Sequence, residues 1–449
     1  MKAVASFFQE ELTTGGGYAS RWDADRSMGH SEHKSSPTVI SIQPPGTTTI
    51  GISMLRAYVV TNEEVFLEGA KGAVSALVTS QLASGGWEGD YDFDPDFVKG
   101  RHFRIDLIEG ETEAGKRKSV STLDDDKTTS ALRLLLEYVH GADTNPEAEA
   151  REALEFGMEA LLAAQFANGG WPQRFEGPAS KDGPVVAASI PENWPREWPN
   201  EKYGGYVTLN DGNLANVMEL LLRAFELTGE PRFREAAVRL GDFLLLAQLP
   251  GPQTGWAQQY DEWMHPVWAR KFEPPAVSSV ESYGAAETLR HIWEVTGDEK
   301  YREAALKGLA WIKGSKLEDG TWARFYELET NRPLYCAADT YELTYEDDNL
   351  PKHYGFIIDE GLGRKVERLR ELFELTPEEA RQKSQPPRWR ESWEKRARGL
   401  RGKVKLAFET IEEEGYWIEE GMIDAKLFVK HMTAMTDYLE ALQEAEKPD

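Results

Sequence analysis

The sequence predicts an all-α protein, an (α/α) toroid of repeated helical hairpins with a loop-built cleft at one end. Two observations carry this. A short Gly-Trp phrase recurs four times at long, similar intervals, and each copy follows two amphipathic helical stretches joined by a tight turn.

The copies are Gln81-Leu82-Ala83-Ser84-Gly85-Gly86-Trp87, Gln165-Phe166-Ala167-Asn168-Gly169-Gly170-Trp171, Gln248-Leu249 leading to Gly255-Trp256, and Lys316-Leu317 leading to Gly320-Thr321-Trp322. Their tryptophans are 84, 85 and 66 residues apart. The clearest hairpin runs from Ala215 to Leu227, through Thr228-Gly229-Glu230-Pro231, and on from Arg232 to Leu249. Its second helix carries Phe233, Ala236, Ala237, Leu240, Phe243 and Leu244 as one apolar stripe. Similar pairs are expected at 47–82, 124–166 and 279–314. A two-helix unit cannot bury its apolar face alone, so neighbours must stack, and a closed stack brings the turns of one end together. We expect residues 1–361 to form the toroid and helices at about 362–382, 388–413 and 422–445 to complete or cap it.

Composition narrows the function. Apolar residues make up 40% of the 449, enough for a sizeable core, and no apolar run is long enough to span a membrane. The net charge of -26 offers no basic stripe to nucleic acid. An anionic polymer would need a local cationic cluster or a bound cation to approach such a surface. Cys336 is the only cysteine, which excludes an intrachain disulfide. No signal peptide is visible at the start, and a monomer is expected. The histidines show no metal-ligand spacing, and neither a Gly-x-Ser-x-Gly elbow nor a phosphate-binding loop is present.

Each first helix opens on small, hydroxylated or acidic residues, as in Thr122-Leu123-Asp124-Asp125-Asp126, Thr208-Leu209-Asn210-Asp211-Gly212 and Ser278-Ser279-Val280-Glu281-Ser282. Helix capping accounts for single residues of this kind. Three consecutive carboxylates exceed a cap's needs, and they suit a hard cation such as calcium, with Asp124 and Asp125 as ligands. Trp87 and Trp256 read as core plugs. Trp171 continues as Pro172-Gln173-Arg174-Phe175, interleaving a flat face, an amide and a cation as a sugar platform would, although packing is the leading role for the indole. Arg270 and Lys271 precede Pro274-Pro275, and Arg324 and Arg332 lie beside aromatic turns, where bidentate binding of substrate carboxylates would place arginine.

At this point the chain resembles the pectic acid lyases, family ten of the polysaccharide lyases, over about Leu82 to Phe356. The phrases that carry the resemblance are Gly169-Gly170-Trp171-Pro172-Gln173, Thr208-Leu209-Asn210-Asp211, Ala269-Arg270-Lys271-Phe272-Glu273-Pro274-Pro275, and Arg324-Phe325-Tyr326-Glu327-Leu328 with Thr330-Asn331-Arg332-Pro333. The resemblance implies a helical toroid that cleaves polygalacturonate by calcium-assisted β-elimination outside the cytoplasm, secreted or periplasmic. It implies Arg270 as the base, Asp124 at the calcium and substrate site, and Arg324 as a substrate-binding arginine. Arg332, Trp171, Gln173, Arg174, Asn210, Asp211 and Glu281 complete the expected substrate site. Because arginine holds its proton to a pKa above about 12, an enolate-stabilising cation is the other role open to Arg270.

The sequence departs from the family at two places. Tyr335-Cys336-Ala337-Ala338-Asp339 puts Ala338 where an arginine is common, and Asp125-Asp126-Lys127 replaces a more neutral, glycine-containing run. Three rival readings follow from the same residues. One is a glycoside hydrolase using a carboxylate pair drawn from Asp211, Glu281 and the Asp124 cluster. Another is a terpene-cyclase relative, for which the arginines have no purpose. The third is an inactive protein that binds acidic glycans.

Overall fold

The computed structural model describes residues 1–384 and 390–447. The chain forms two compact units, one of Met1–Ala163 with Pro386–Asp449 and the other of Ala164–Gln385. The first opens with α1 (Lys2–Glu11), α2 (Thr47–Thr61), α3 (Glu64–Ser80), two short helices α4 (Pro95–Lys99) and α5 (Arg104–Ile108), then α6 (Lys127–Leu136) and α7 (Ala148–Ala163). The second holds α8 (Asn213–Thr228), α9 (Pro231–Ala247), α10 (Ser279–Thr296), α11 (Glu299–Gly314), α12 (Gly361–Leu372) and α13 (Pro377–Ser384). The chain then returns to the first unit with α14 (Arg390–Glu409) and α15 (Ala425–Glu446).

The all-α class and the repeated hairpins are as the sequence predicts. The expected pairs are α2–α3, α6–α7, α8–α9 and α10–α11, and the two helices of each pack on one another. Gly229, in the left-handed region at φ 72°, ends α8, and Pro231 starts α9 at a position where its missing N–H costs nothing. One boundary differs: α6 begins at Lys127, not at Asp124, because Asp125 and Asp126 are both left-handed and break the helical path. The expected helix at 362–382 is two, since Pro377 starts a new helix after Thr376. Within the second unit α12 packs on α11 and α13 on α10, while in the first α14 packs on α15 and α15 on α2. No helix among the described residues is long and apolar enough to cross a membrane.

The Gly-Trp phrases form one recurring turn. Gly85, Gly169 and Gly320 take φ of 99°, 93° and 95°, values that L side chains rarely adopt. A residue two or three places past the helix closes the turn by donating its N–H across it: Leu82 to the Gly86 carbonyl at 3.0 Å, Phe166 to Gly170 at 2.8 Å, Leu317 to Thr321 at 2.9 Å. The indole then drops into the core. Trp87, Trp171 and Trp256 are fully buried, and the ring N–H of Trp87, Trp256 and Trp322 donates to the carbonyls of Leu77, Leu244 and Ile312. The glutamine of the first three copies ties its turn to a neighbouring helix. Gln81 donates to Gly85 and Ala153, Gln165 to Gly169 and Ala236, and Gln248 to Thr254 and Ala304, all at 2.8–3.1 Å.

A fifth copy lies at Glu412 to Trp417, between α14 and α15. Gly415 has φ 98°, Glu412 N–H donates to the Tyr416 carbonyl at 2.9 Å, and the buried Trp417 donates to Ala407 at 3.0 Å. Sequence reading missed it because Ile411-Glu412 inverts the polar-then-apolar pair that opens the other copies.

Candidate active site

In the first unit the segment before α6 is a tight turn. Asp125 (φ 50°) and Asp126 (φ 60°) are consecutive left-handed residues, a conformation that costs a non-glycine residue about 1–2 kcal/mol and concentrates at functional turns. Asp126 serves the fold: its carboxylate accepts from Thr129 Oγ1 at 2.5 Å and from Arg133 Nη1 at 3.0 Å. Asp124 and Asp125 form an acidic pair able to hold a cation. Burial and then the charge of Asp124 push the Asp125 carboxyl above its usual range. The cation present is Lys127, whose Nζ lies 3.4 Å from Asp124 Oδ2, 3.4 Å from Asp125 Oδ2 and 3.8 Å from Glu32 Oε2, with only 6% of its side chain exposed.

In the second unit Asn210, Asp211 and Gly212 make the corresponding turn before α8, with Asp211 at φ 52° and Gly212 at 69°. Segments flanking a five-stranded sheet of short strands carry the other groups; its strands Val277–Ser278 and Phe325–Tyr326 pair antiparallel, Ser278 opposite Phe325. Arg324, next to that strand, sends Nη2 to Glu281 Oε1 at 2.9 Å and to Asn210 Oδ1 at 3.2 Å. Asn210 in turn donates to Asp211 Oδ2 at 2.7 Å. Burial is the largest single influence and works against the Arg324 charge, but Glu281, Tyr354, Asp211 and Glu273 together outweigh it and the guanidinium is held more firmly protonated than usual.

Arg270 is also paired. Its Nε and Nη2 grip Glu273 at 2.8 and 2.5 Å in a bidentate fork, and its backbone N–H adds a third bond to the same carboxylate at 3.1 Å. The hydrogen bonds that Arg270 donates to Glu273 raise the Arg270 pKa well above its ordinary value. Glu273 is buried, which alone would raise its pKa, yet Arg270 holds it below the usual carboxylate range. Tyr354 joins the two arginines: its hydroxyl donates to Glu273 Oε1 at 3.0 Å, and its ring lies 4.7 Å from the Arg324 guanidinium and 5.6 Å from that of Arg270. Donors remain on both cations. Arg324 Nε is buried without a partner, and 43% of the Arg270 side chain is exposed.

The structure therefore brings together Arg270, Arg324, Asn210, Asp211 and Glu281 of the expected site residues. Arg332 is exposed and stacks on Tyr345 at 3.6 Å, and Arg174 is also exposed. Gln173 is buried. Trp171, expected as a sugar platform or a packing residue, is a packing residue: its ring is fully buried and offers no face to a sugar. Sequence reading missed Glu273 and Tyr354 as members of the cluster. Glu273 sits three residues after Arg270, a spacing that would have flagged it, whereas nothing local marks Tyr354. A cleft of about 410 Å³ lined by turns and loops runs past Asn168, Tyr206, Asp261 and Trp263, the last 55% exposed.

The chain is similar in structure to the family 10 polysaccharide lyase from Cellvibrio cellulosa (18% identity, 71% of this chain and 95% of that one, TM-score 0.49). It is similar to a mutant of that lyase in complex with trigalacturonic acid (17% identity, 73% and 98%, TM-score 0.49). The cellobiose 2-epimerase from Bacillus thermoamylovorans is a further likeness (15% identity, 95% of each chain, TM-score 0.46). No curated protein matches the chain. A family model described as pectic acid lyase matches residues 94–320, just over half of the sequence and the span that holds Asp124, Asn210, Arg270 and Glu281. The chain belongs to the pectic acid lyase family.

Proposed function

We propose that the protein is a family ten polysaccharide lyase that cleaves pectate or a related polyuronate by β-elimination. The observation that carries this reading is the convergence of two guanidiniums, Arg270 and Arg324, on one tyrosine ring in an otherwise acidic chain, each with donors to spare. Cations so placed suit a substrate that bears a carboxylate on every sugar.

In the reaction hydroxide from the alkaline solvent takes the proton at C5, α to the uronate carboxylate, the C4–O bond breaks as a C4=C5 double bond forms, and the leaving oxygen takes a proton from water, which returns the hydroxide. Negative charge grows on the carboxylate during the first step. Arg324, fixed by Glu281 and Asn210, is placed to clamp a uronate, and Arg270 to stabilise the enolate-like charge. Held protonated by Glu273, Arg270 acts as a cation; a base role would require it to shed that pairing. Calcium is the cation that the resemblance implies at Asp124 and Asp125. The carboxylates are suitable, but the Lys127 ammonium stands against both, so the arrangement does not fit the ion and no step is routed through it. The hydrolase reading loses one of its carboxylates, because Glu281 is 4% exposed and engaged by Arg324 and Ser278. We place the enzyme outside the cytoplasm, where such polymers occur, as a monomer.

Incubation with polygalacturonate at alkaline pH, followed by ultraviolet absorbance of the unsaturated product, tests the proposal. Arg270→Ala is expected to abolish turnover and leave oligogalacturonate binding measurable. Failure to form unsaturated product from polygalacturonate and related polyuronates would sink the lyase reading.

A further inference from the structure

The turn before α6 departs from its counterparts at two positions that face each other. In the repeated turn, the residue two after the tryptophan is Gln173, Gln258 or Arg324, each a long polar side chain, but in the first copy it is Gly89. A methyl group added at Gly89 would lie 2.8 Å from Lys127 Cε, so this glycine leaves room for the lysine stem. At the helix start, Thr128 and Ser282 do the same job, their hydroxyls accepting the N–H of Trp87 and Trp256. The residue before each is therefore equivalent: Lys127 in one copy, Glu281 in the other. Where the α10 start presents a carboxylate to an arginine, the α6 start presents an ammonium to carboxylates.

We propose that Lys127 is a resident cation that replaces a divalent ion between Asp124 and Asp125, so that this chain works without calcium. Four observations support this. The ammonium is 3.4 Å from each carboxylate. Its side chain is nearly all buried, which for a lysine demands paired charge. Glu32 adds a third carboxylate at 3.8 Å. Gly89 clears the path of the stem. A calcium ion at this pair would have to expel a buried ammonium held by three carboxylates, with repulsion between the two cations until it left. As a monovalent point charge, Lys127 supplies less field than calcium but needs no ion from solution. It acts as a positioning residue for the acidic turn.

The inference rests on the lyase reading for its consequence in turnover, but calcium binding tests it independently. Isothermal titration calorimetry with calcium chloride on the wild type, Lys127→Ala and Lys127→Met reads the site directly, and thermal melts confirm that the variants are folded. Removing the ammonium is expected to tighten calcium binding by about tenfold or more, equivalent to about 1.4 kcal/mol. Adding Asp125→Asn to Lys127→Met should abolish that gain, locating it at this turn. Wild-type turnover of polygalacturonate should survive chelation, whereas any turnover of the Lys127 variants should depend on added calcium. Calcium affinity unchanged by both Lys127 variants, or wild-type turnover lost on chelation, overturns the proposal. If the wild type turns over no polyuronate, the lyase reading fails while the calorimetry still decides the role of Lys127.

Discussion

Glu281→Ala is the perturbation whose cost the structure defines best. Glu281 has 3% of its side chain exposed and Arg324 14%, and their charged groups meet at 2.9 Å. Two unit charges about 4 Å apart in a medium of effective dielectric near 20 attract by about 4 kcal/mol, and removing one partner of a buried pair costs about 3–5 kcal/mol because the other charge is left behind. Arg324 would keep its bond to Asn210 at 3.2 Å and the face of Tyr354, each worth about 1 kcal/mol. The net expectation is a loss of about 2–4 kcal/mol. For a unit the size of Ala164–Gln385 that corresponds to a fall in melting temperature of about 5–12 °C. The assay is a double-mutant cycle in urea with Glu281→Ala, Arg324→Met and the pair. Since removing both charges leaves no orphan, the double variant should be more stable than the sum of the singles by at least about 1.5 kcal/mol. A coupling below about 0.5 kcal/mol would refute the claim that this ion pair organises the cluster.

Three further outcomes follow from the fold. Gln165→Leu leaves the carbonyls of Gly169 and Ala236 and the guanidinium of Arg239 without a buried partner, so urea denaturation should register a loss of about 2–4 kcal/mol. Gly415→Ala forces a side chain into φ 98°, and a thermal melt should show a loss of about 1–2 kcal/mol if the fifth turn is built like the others. His291 is held neutral by burial and by Arg290, its pKa lowered from 6.5 to about 4. Its unfolded form therefore takes up a proton first, and stability should fall as pH drops from 6.5 towards 4. His291→Gln should flatten that part of the profile in denaturation experiments run across the range.

Much of the scaffold was legible in the chain because its signals are local. The stripe from Phe233 to Leu244 has helical spacing, Gly229 and Pro231 mark a stop and a start, and Gly85, Gly169 and Gly320 announce turns that only glycine takes cheaply. The same local logic failed at Gly415, whose copy keeps the geometry but opens on Ile411-Glu412 in place of a polar residue followed by an apolar one, while for Trp171 the structure selects packing over the sugar platform that its polar neighbours also allowed.

The sequence by itself determined the helical class, the repeated hairpins and the residue types of the candidate site, because periodicity, caps and turn residues act over a few positions. Only the tertiary structure decided which charges meet. Arg324 finds Asn210 across 114 residues and Tyr354 closes over both arginines, while Lys127 meets Glu32 from far earlier in the chain. Such pairings depend on how helices and turns distant in sequence pack, and on whether a small residue such as Gly89 leaves the space. In a buried setting they set the charge of every group involved, which no run of neighbouring residues can specify.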